Sequence, residues 1–213
     1  MQKIKQIFVI AVLALSAVGN VMAIEEAKYN SILKEGAIEV RDYESQIIAE
    51  TLVSGDFEDA GGEAFKRLFK YISGENTARQ KIDMTAPVGL ANASQEIDMT
   101  SPVGQTRIDG KWAVNFLMPA SYSMETIPQP KDPKIRLRLL PDRHIAAIEY
   151  SGFWSEESYL ENKGKLESWI SEKQYNVIGQ PIWARYNPPF TPWFLRRNEI
   201  LIPINMPELV SQK

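Results

Sequence analysis

Hydrophobic and polar residues alternate along this chain with two different periods, and the periods predict its elements. A period of two indicates strands over residues 37–43, 46–54, 112–119, 135–140, 144–150, 181–186 and 199–204. Apolar residues three and four apart from Phe57 to Ile72 predict an amphipathic helix that ends at Ser73-Gly74. A second stripe from Tyr159 to Ile170 predicts another helix, with Ser155 as its N-cap. These elements predict an α+β fold in which two helices pack on an antiparallel, barrel-like sheet.

The chain also resembles itself at a shift of 97 residues, without a gap. Each half is predicted to contain two paired strands, a Ser-Gly turn and a helix, so residues 37–43 should pair with 46–54. This pattern predicts internally duplicated ββα units, although a chance similarity between two strand pairs would give some of the same matches. The matches are Ile38 with Ile135, Val40 with Leu137, Arg41 with Arg138, Ile48-Ala49 with Ile145-Ala146, Ser54-Gly55 with Ser151-Gly152, and Phe57 with Trp154.

A shorter repeat lies between the two halves. Residues 80–89 recur 15 positions later as residues 95–104, with eight of ten positions identical. Alternation within each copy predicts neighbouring strands that place Met84 and Met99 on the same side. The two methionines would then form a soft apolar wall that adapts to a ligand, or they are ordinary core residues.

The first 23 residues have the pattern of a cleavable signal peptide. Lys3 and Lys5 precede an apolar run over residues 7–18, and Val21-Met22-Ala23 supplies a small residue at the cut. The alternative is a membrane anchor, but the run is shorter than the roughly 20 apolar residues that cross a bilayer. We therefore expect cleavage near Ala23, a periplasmic or secreted protein without a stable membrane anchor, and a single domain over residues 24–213.

The composition argues against several classes of function. The chain has 24 basic and 27 acidic residues, which does not favour nucleic acid as a partner. It has no cysteine, so its stability must come from a packed core. With one histidine and without an H-E-x-x-H, G-x-S-x-G or phosphate-binding glycine motif, we expect no enzyme, while a haem-processing activity stays open.

Four segments together give the chain a resemblance to a known family. They are the doubled I-x-M-T-x-P-V, the strand over 112–119 that ends in Leu-Met-Pro, the turn over 151–157, and the run over 184–199 that reads ARYNPPFTPWFLRRNE. In this order they resemble the SOUL haem-binding protein family. The resemblance implies a duplicated domain with a distorted β-barrel flanked by two helices, similar to bacterial effector-binding domains. It also implies non-covalent binding of haem or a related tetrapyrrole, with no agreed enzymatic step.

The single histidine is the obvious candidate for an axial ligand to haem iron. Strand alternation places His144 on the same face as Ala146 and Ile148, and its counterpart in the first half is the apolar Ile47. Both observations favour an inward position. However, His144 begins its strand beside Asp142 and Arg143, where a surface histidine is the commoner outcome.

Haem propionates need cationic partners, and two segments offer them. The first predicted helix carries Lys66, Arg67 and Lys70, and the segment after the prolines carries Arg196 and Arg197. The resemblance to the family makes Lys70 the leading candidate. Phe69, Met84 and Met99 are the candidate apolar contacts. A solvated surface position is the alternative for each cation.

The segment over residues 188–194 combines three prolines with three aromatic residues and predicts a stiff loop. It would form the lip of a pocket, a lid over the sheet or a surface that docks a protein partner. The second function that we consider is therefore an interaction module, or a binder of another apolar molecule, for which haem is incidental. A deep pocket beside the first helix would favour the haem binder, and a filled interior with an exposed aromatic patch would favour the module.

Overall fold

The computed structural model describes residues 24–78 and 94–206. The elements of the first half are β1 (Glu25–Glu26), β2 (Asn30–Glu35), β3 (Ile38–Tyr43), β4 (Gln46–Val53), α1 (Phe57–Ile72), β5 (Asn76–Thr77), β6 (Thr100–Ser101), β7 (Val103–Ile108) and β8 (Lys111–Leu117). The second half contributes β9 (Gln129–Pro130), β10 (Ile135–Leu140), β11 (Arg143–Tyr150), α2 (Glu156–Glu172), β12 (Asn176–Val177), β13 (Ile182–Arg185), a 3₁₀ turn (Trp193–Leu195) and β14 (Asn198–Asn205). The predicted signal peptide and the first copy of the short repeat, including Met84, lie outside the described residues.

One large antiparallel sheet organises the structure, which confirms the α+β fold class. Its strand order is β10-β4-β8-β7-β13-β14-β11-β3-β2, with β12 beside β14. The predicted barrel is wrong: among the described strands, β10 and β2 stand at opposite ends of this order and do not pair, so the sheet is open. Both end strands carry charged, exposed residues, such as Lys34 on β2 and Arg136 on β10, which oppose edge-to-edge pairing.

The two strands of each predicted ββα unit, β3 with β4 and β10 with β11, do not pair with each other, which corrects a second prediction. β3 pairs with β2 and β11, whereas β4 pairs with β10 and β8. A two-residue hairpin needs positive φ in its loop, and neither Glu44 nor Ser45 between β3 and β4 has it. By contrast, Asp109 and Gly110 have φ of 48° and 78° and join β7 to β8 as a hairpin.

The pairings across the two halves share one register. Ile38 pairs with Ile148, and Ile135 pairs with Thr51. In the 97-residue repeat, residue 38 corresponds to residue 135, and residue 51 corresponds to residue 148. Both pairings therefore join the same two repeat positions. The origin of the halves by duplication stays a prediction.

Both helices form where the sequence predicts them. The apolar stripe of α1 is buried at Phe57, Ala60, Ala64 and Leu68, and the helix packs on β4 and β8. α2 packs on β11 and β14, and the Ser158 N–H donates to Ser155 Oγ at 3.3 Å, which confirms the N-cap. No helix in the described part of the chain combines the length and the apolar character needed to cross a membrane.

The opposite face of the sheet buries a charged cluster around Glu199. Arg41 donates to both Glu199 oxygens, at 2.6 and 3.0 Å, and Arg197 donates to Oε1 at 2.7 Å. The Tyr186 hydroxyl donates to Oε2 at 2.8 Å. Burial by itself would raise the pKa of the Glu199 carboxyl, but the hydrogen bonds and charges of Arg41 and Arg197 outweigh it and hold that pKa below its ordinary value of 4.5.

We expect Glu199→Gln to lower the free energy of unfolding by about 3 kcal/mol, because it leaves Arg41 buried without its main counter-charge. Denaturant titration measures this change. The matched control is Glu167→Gln, which removes an exposed carboxylate from an ion pair with Lys163 on α2 and should cost less than about 0.5 kcal/mol. Equal losses in the two variants would contradict the role of Glu199.

The same carboxylate should make the stability of the protein depend on pH in acidic solution. Its pKa is lower in the folded state than in the unfolded chain, so its contribution is present above pH 4.5 and is lost as the pH falls through the folded value. The thermal midpoint of the unmodified protein should therefore fall more steeply below pH 4.5 than that of Glu199→Gln.

Candidate functional site

A cavity of about 450 Å³ opens between α1 and the ends of β7 and β13. This volume lies within the usual range for small-molecule sites. Its wall is mostly apolar. The lining residues are Ile24, Gly61, Gly62, Phe65, Lys66, Met99, Thr100, Ser101, Val103, Trp154, Arg185, Tyr186, Asn187, Pro188 and Pro189.

Arg185 and Lys66 are the cations among the lining residues, and Arg185 is the less exposed of the two. Its guanidinium carbon lies 4.6 Å from the ring centroid of Trp183 and 5.4 Å from that of Trp154, so the group packs between two indoles. Burial lowers the pKa of Arg185 to about 10. Within the described residues the guanidinium forms no ion pair, and its one hydrogen bond runs from Nη2 to Gln105 Oε1 at 3.0 Å.

Two neighbouring residues, Gln105 and Gly61, help to fix the position of Arg185. Gln105 is buried, and its Nε2 donates to the Phe57 carbonyl at 2.8 Å, so the side chain bridges the first turn of α1 to Arg185. Gly61 lets the helix come close, because a Cβ at that position would lie 3.0 Å from Gln105 Oε1 and 3.1 Å from Arg185 Nη2. The guanidinium is therefore positioned by the fold before any ligand binds.

Trp154 lines the cavity and is itself anchored. Its indole N–H donates to the Oδ1 of buried Asn198 at 2.8 Å. Arg196 lies over the same ring at 4.4 Å and donates to the carbonyls of Thr191 and Pro189, at 2.8 Å each. Arg196 thus fixes the proline-rich segment against Trp154 and shapes the cavity without lining it.

The predicted apolar contacts have different positions. Met99 is half-buried and lines the cavity. Phe69 does not line it, but its half-exposed ring stacks on Phe65, which does, with 6.0 Å between the ring centroids. The prediction for Met84 cannot be placed, because that residue lies outside the described chain.

The predicted cations of α1 separate into three environments. Lys66 is exposed and lines the cavity. Arg67 turns away from it and donates to Thr51 Oγ1 and Glu63 Oε1, at 2.8 Å each. Lys70 is exposed one turn further along, 3.9 Å from Glu75, and is not among the lining residues. Its assignment to a propionate stays a prediction.

Arg197 and His144 also lie away from the lining. Arg197 binds Glu199 and also pairs with Glu26 at 2.8 Å. The half-exposed His144 ring has its Nε2 3.6 Å from Asp42 Oδ1, near the start of β11. This position does not bring the imidazole to the cavity, and its role as an axial ligand stays a prediction.

Arg185, Trp154 and Gly61 are among the cavity residues that were not predicted as site residues from the sequence. A signal for Arg185 was available, because residues 183 and 185 face the same side of a strand and Trp183 is an obvious core residue. An arginine at a core-facing position of a strand indicates either a buried ion pair or a ligand contact. Nothing comparable indicated Gly61, whose neighbours come from β7 and β13.

Comparison with known proteins gives relatives in sequence and in fold. Heme-binding protein 1 of Xenopus tropicalis is 28% identical over 169 residues, which cover 78% of this chain and 84% of that protein. Heme-binding protein 1 of Xenopus laevis matches to the same extent. Among solved structures, the C-terminal domain of EcmrR has a TM-score of 0.53 at 11% identity and covers 84% of this chain and 99% of its own.

A structure described as a hydrolase from Listeria innocua has a TM-score of 0.51 at 9% identity, covering 82% of this chain and 94% of its own. At such identities the two solved structures share the fold alone. The profile of the family described as SOUL heme-binding protein matches residues 24–203, which is most of the chain. The chain therefore belongs to the SOUL haem-binding protein family.

Proposed function

We propose that the cavity between α1 and β13 binds haem or a related tetrapyrrole without a covalent bond. The observation that carries this proposal is the composition of the wall: apolar surfaces from Phe65, Val103 and Trp154 surround a site that also holds Arg185. A tetrapyrrole has the same division, with a flat apolar ring and two propionates. The Xenopus relatives, which are named as haem-binding proteins, support the same ligand class.

Burial of the apolar ring would supply useful affinity without a bond to iron. If binding removes on the order of 500 Å² of apolar surface from water, the gain at about 25 cal/mol per Å² is on the order of 10 kcal/mol before the cost of association. The role of His144 is thus separable from binding, since an iron ligand is not required for affinity.

The lining also supports a binding protein in preference to an enzyme. The described residues that line the cavity include no histidine and no carboxylate, which are the commonest general acids and bases. Export to the periplasm or the medium belongs to the same proposal and is supported by the sequence pattern of residues 1–23. A haem buffer or carrier in the cell envelope combines these features.

A second candidate function has its own observation. The segment after Pro189 exposes several large apolar side chains: Phe190 is 87% exposed, and Phe153 stacks on Trp193 with 5.3 Å between the ring centroids. Phe194 and Leu195 are exposed as well. Exposed apolar patches of this kind mark docking surfaces for other macromolecules. The chain would then act as an interaction module, and haem would be incidental.

Filling the cavity should separate these two functions. Gly62 lines the cavity, and a Cβ at this helical position would have no described heavy atom within 4 Å. We expect Gly62→Phe to fold normally and to weaken ferric haem binding at least tenfold, because the ring occupies the space that the porphyrin needs. A visible-absorbance titration of the purified protein measures the affinity, and the thermal midpoint reports folding.

The matched control is Gly164→Phe. Gly164 is also helical, and a Cβ at this position would have no described heavy atom within 4 Å, but the residue lies on α2 and does not line the cavity. Its variant should bind haem like the unmodified protein. Haem binding that survives Gly62→Phe would place the ligand elsewhere, and the absence of saturable binding to the unmodified protein would favour the interaction module.

A further substitution tests the single histidine. We expect His144→Ala to leave both the haem affinity and the position of the Soret band unchanged, since the imidazole contacts Asp42 and does not line the cavity. The same absorbance titration gives both quantities. A shifted band with weaker binding would show that His144 is an iron ligand.

A further inference from the structure

The arginines of this fold differ in how their charge is compensated. Arg41, Arg138 and Arg197 each pair with a carboxylate at 2.8 Å or less. Arg143 has no such pair, but it donates to Gln46 Oε1 and to the Pro141 carbonyl. Arg185 has neither a described carboxylate partner nor a second acceptor, because its one described hydrogen bond goes to the neutral Gln105.

Most donors of Arg185 have no described protein acceptor. A guanidinium has five N–H donors, and the half-buried side chain of Arg185 makes one described hydrogen bond, to Gln105. The two indoles offset part of the charge through their ring faces. They accept no conventional hydrogen bond, so donors of Arg185 at the cavity stay available to a ligand.

The charge and shape of the site indicate which group would bind there. A carboxylate is planar, carries one negative charge and accepts two parallel hydrogen bonds from a guanidinium. A phosphate monoester would bring about two charges and three acceptor oxygens, whereas the cavity wall is mostly apolar and includes Trp154, Pro188 and Pro189. A single carboxylate on an apolar molecule matches both the guanidinium of Arg185 and the mostly apolar wall.

We infer that Arg185 binds a carboxylate of the ligand, so that the cavity selects apolar molecules that carry an acidic group over their neutral counterparts. This inference rests on the proposed function and assigns the anion contact to a residue of β13. Gln105 and Gly61 are positioning residues for Arg185, since they hold the guanidinium and do not themselves need to touch the carboxylate. Lys66 at the same cavity is exposed and would act as a weaker, solvent-screened cation.

The experiment compares protoporphyrin IX with its dimethyl ester, which has the same ring but no acidic group. Both are free of iron, so axial ligation does not contribute. Quenching of tryptophan fluorescence gives the two dissociation constants, because Trp154 lines the cavity. We expect the unmodified protein to bind the diacid at least about tenfold more tightly than the ester, as a charge-assisted hydrogen bond predicts.

Substitutions then assign the preference to one residue. Arg185→Gln should bring the ratio of the two constants close to one by weakening only the diacid, and Arg185→Lys should keep part of it through the remaining charge. The control is Arg107→Gln, because Arg107 also lies over an indole, 5.0 Å from the Trp112 ring, but does not line the cavity. Arg107→Gln should keep the full ratio.

Failure of the inference can be distinguished from failure of the proposed function. A ratio near one in the unmodified protein, or an unchanged ratio in Arg185→Gln, would overturn the role of Arg185 while porphyrin binding stands. If neither porphyrin nor ferric haem binds the unmodified protein, the proposed function fails and the inference fails with it. The ratio in the unmodified protein tests the selection of acidic ligands even if a variant does not fold, and Arg185→Lys offers a second variant for the assignment to Arg185.

Discussion

The buried carboxylate of Glu199 is the constraint on which the part of the structure around the cavity depends. A charge inside a protein must be compensated by nearby donors, and Glu199 takes them from Arg41 on β3, from Arg197 and from Tyr186. Its neighbour Asn198, on the other face of β14, holds the Trp154 indole. One end of one strand thus fixes two of the residues that line the cavity, Tyr186 and Trp154. Damage to this cluster would therefore affect both stability and the shape of the site.

The cavity differs from the Glu199 cluster in how its charge is compensated. Around Glu199, cations and an anion neutralise each other inside the protein. At Arg185 the protein supplies the cation and two aromatic faces but no described carboxylate, and the pKa of about 10 reflects this desolvation. The two sites lie on neighbouring strands, β14 and β13, so the same sheet carries one satisfied charge cluster and one that a ligand would complete. The exposed patch around Phe190 borders the second site, because Pro188 and Pro189 line the cavity just before it.

Features that depend on neighbouring residues were predicted more accurately than features that depend on long-range contacts. α1 was predicted to the residue, and Ser155 was identified as an N-cap, because both depend on neighbours within one or two helical turns. The pairing of residues 37–43 with 46–54 was wrong, since it assumed a hairpin that the Glu44-Ser45 link does not form. The Asp109-Gly110 hairpin carries a strong local signal and could have been predicted. The choice of Lys66 and Met99 agrees with the lining, whereas Arg67 and Arg197 form ion pairs elsewhere.

Residue order alone was sufficient for the α+β class, the two helices and the membership of the SOUL family. Periodicity and motifs are properties of neighbouring residues, so they can be read without coordinates. Only the tertiary structure shows that the sheet is open, that β3 pairs with β11, and that Arg185 faces an apolar cavity. These features depend on contacts between residues far apart in sequence: Gln105, Trp154 and Gly61 meet Arg185 only after α1, β7 and β13 have packed together. No local sequence pattern encodes these contacts, because the environment of Arg185 is produced by the fold as a whole.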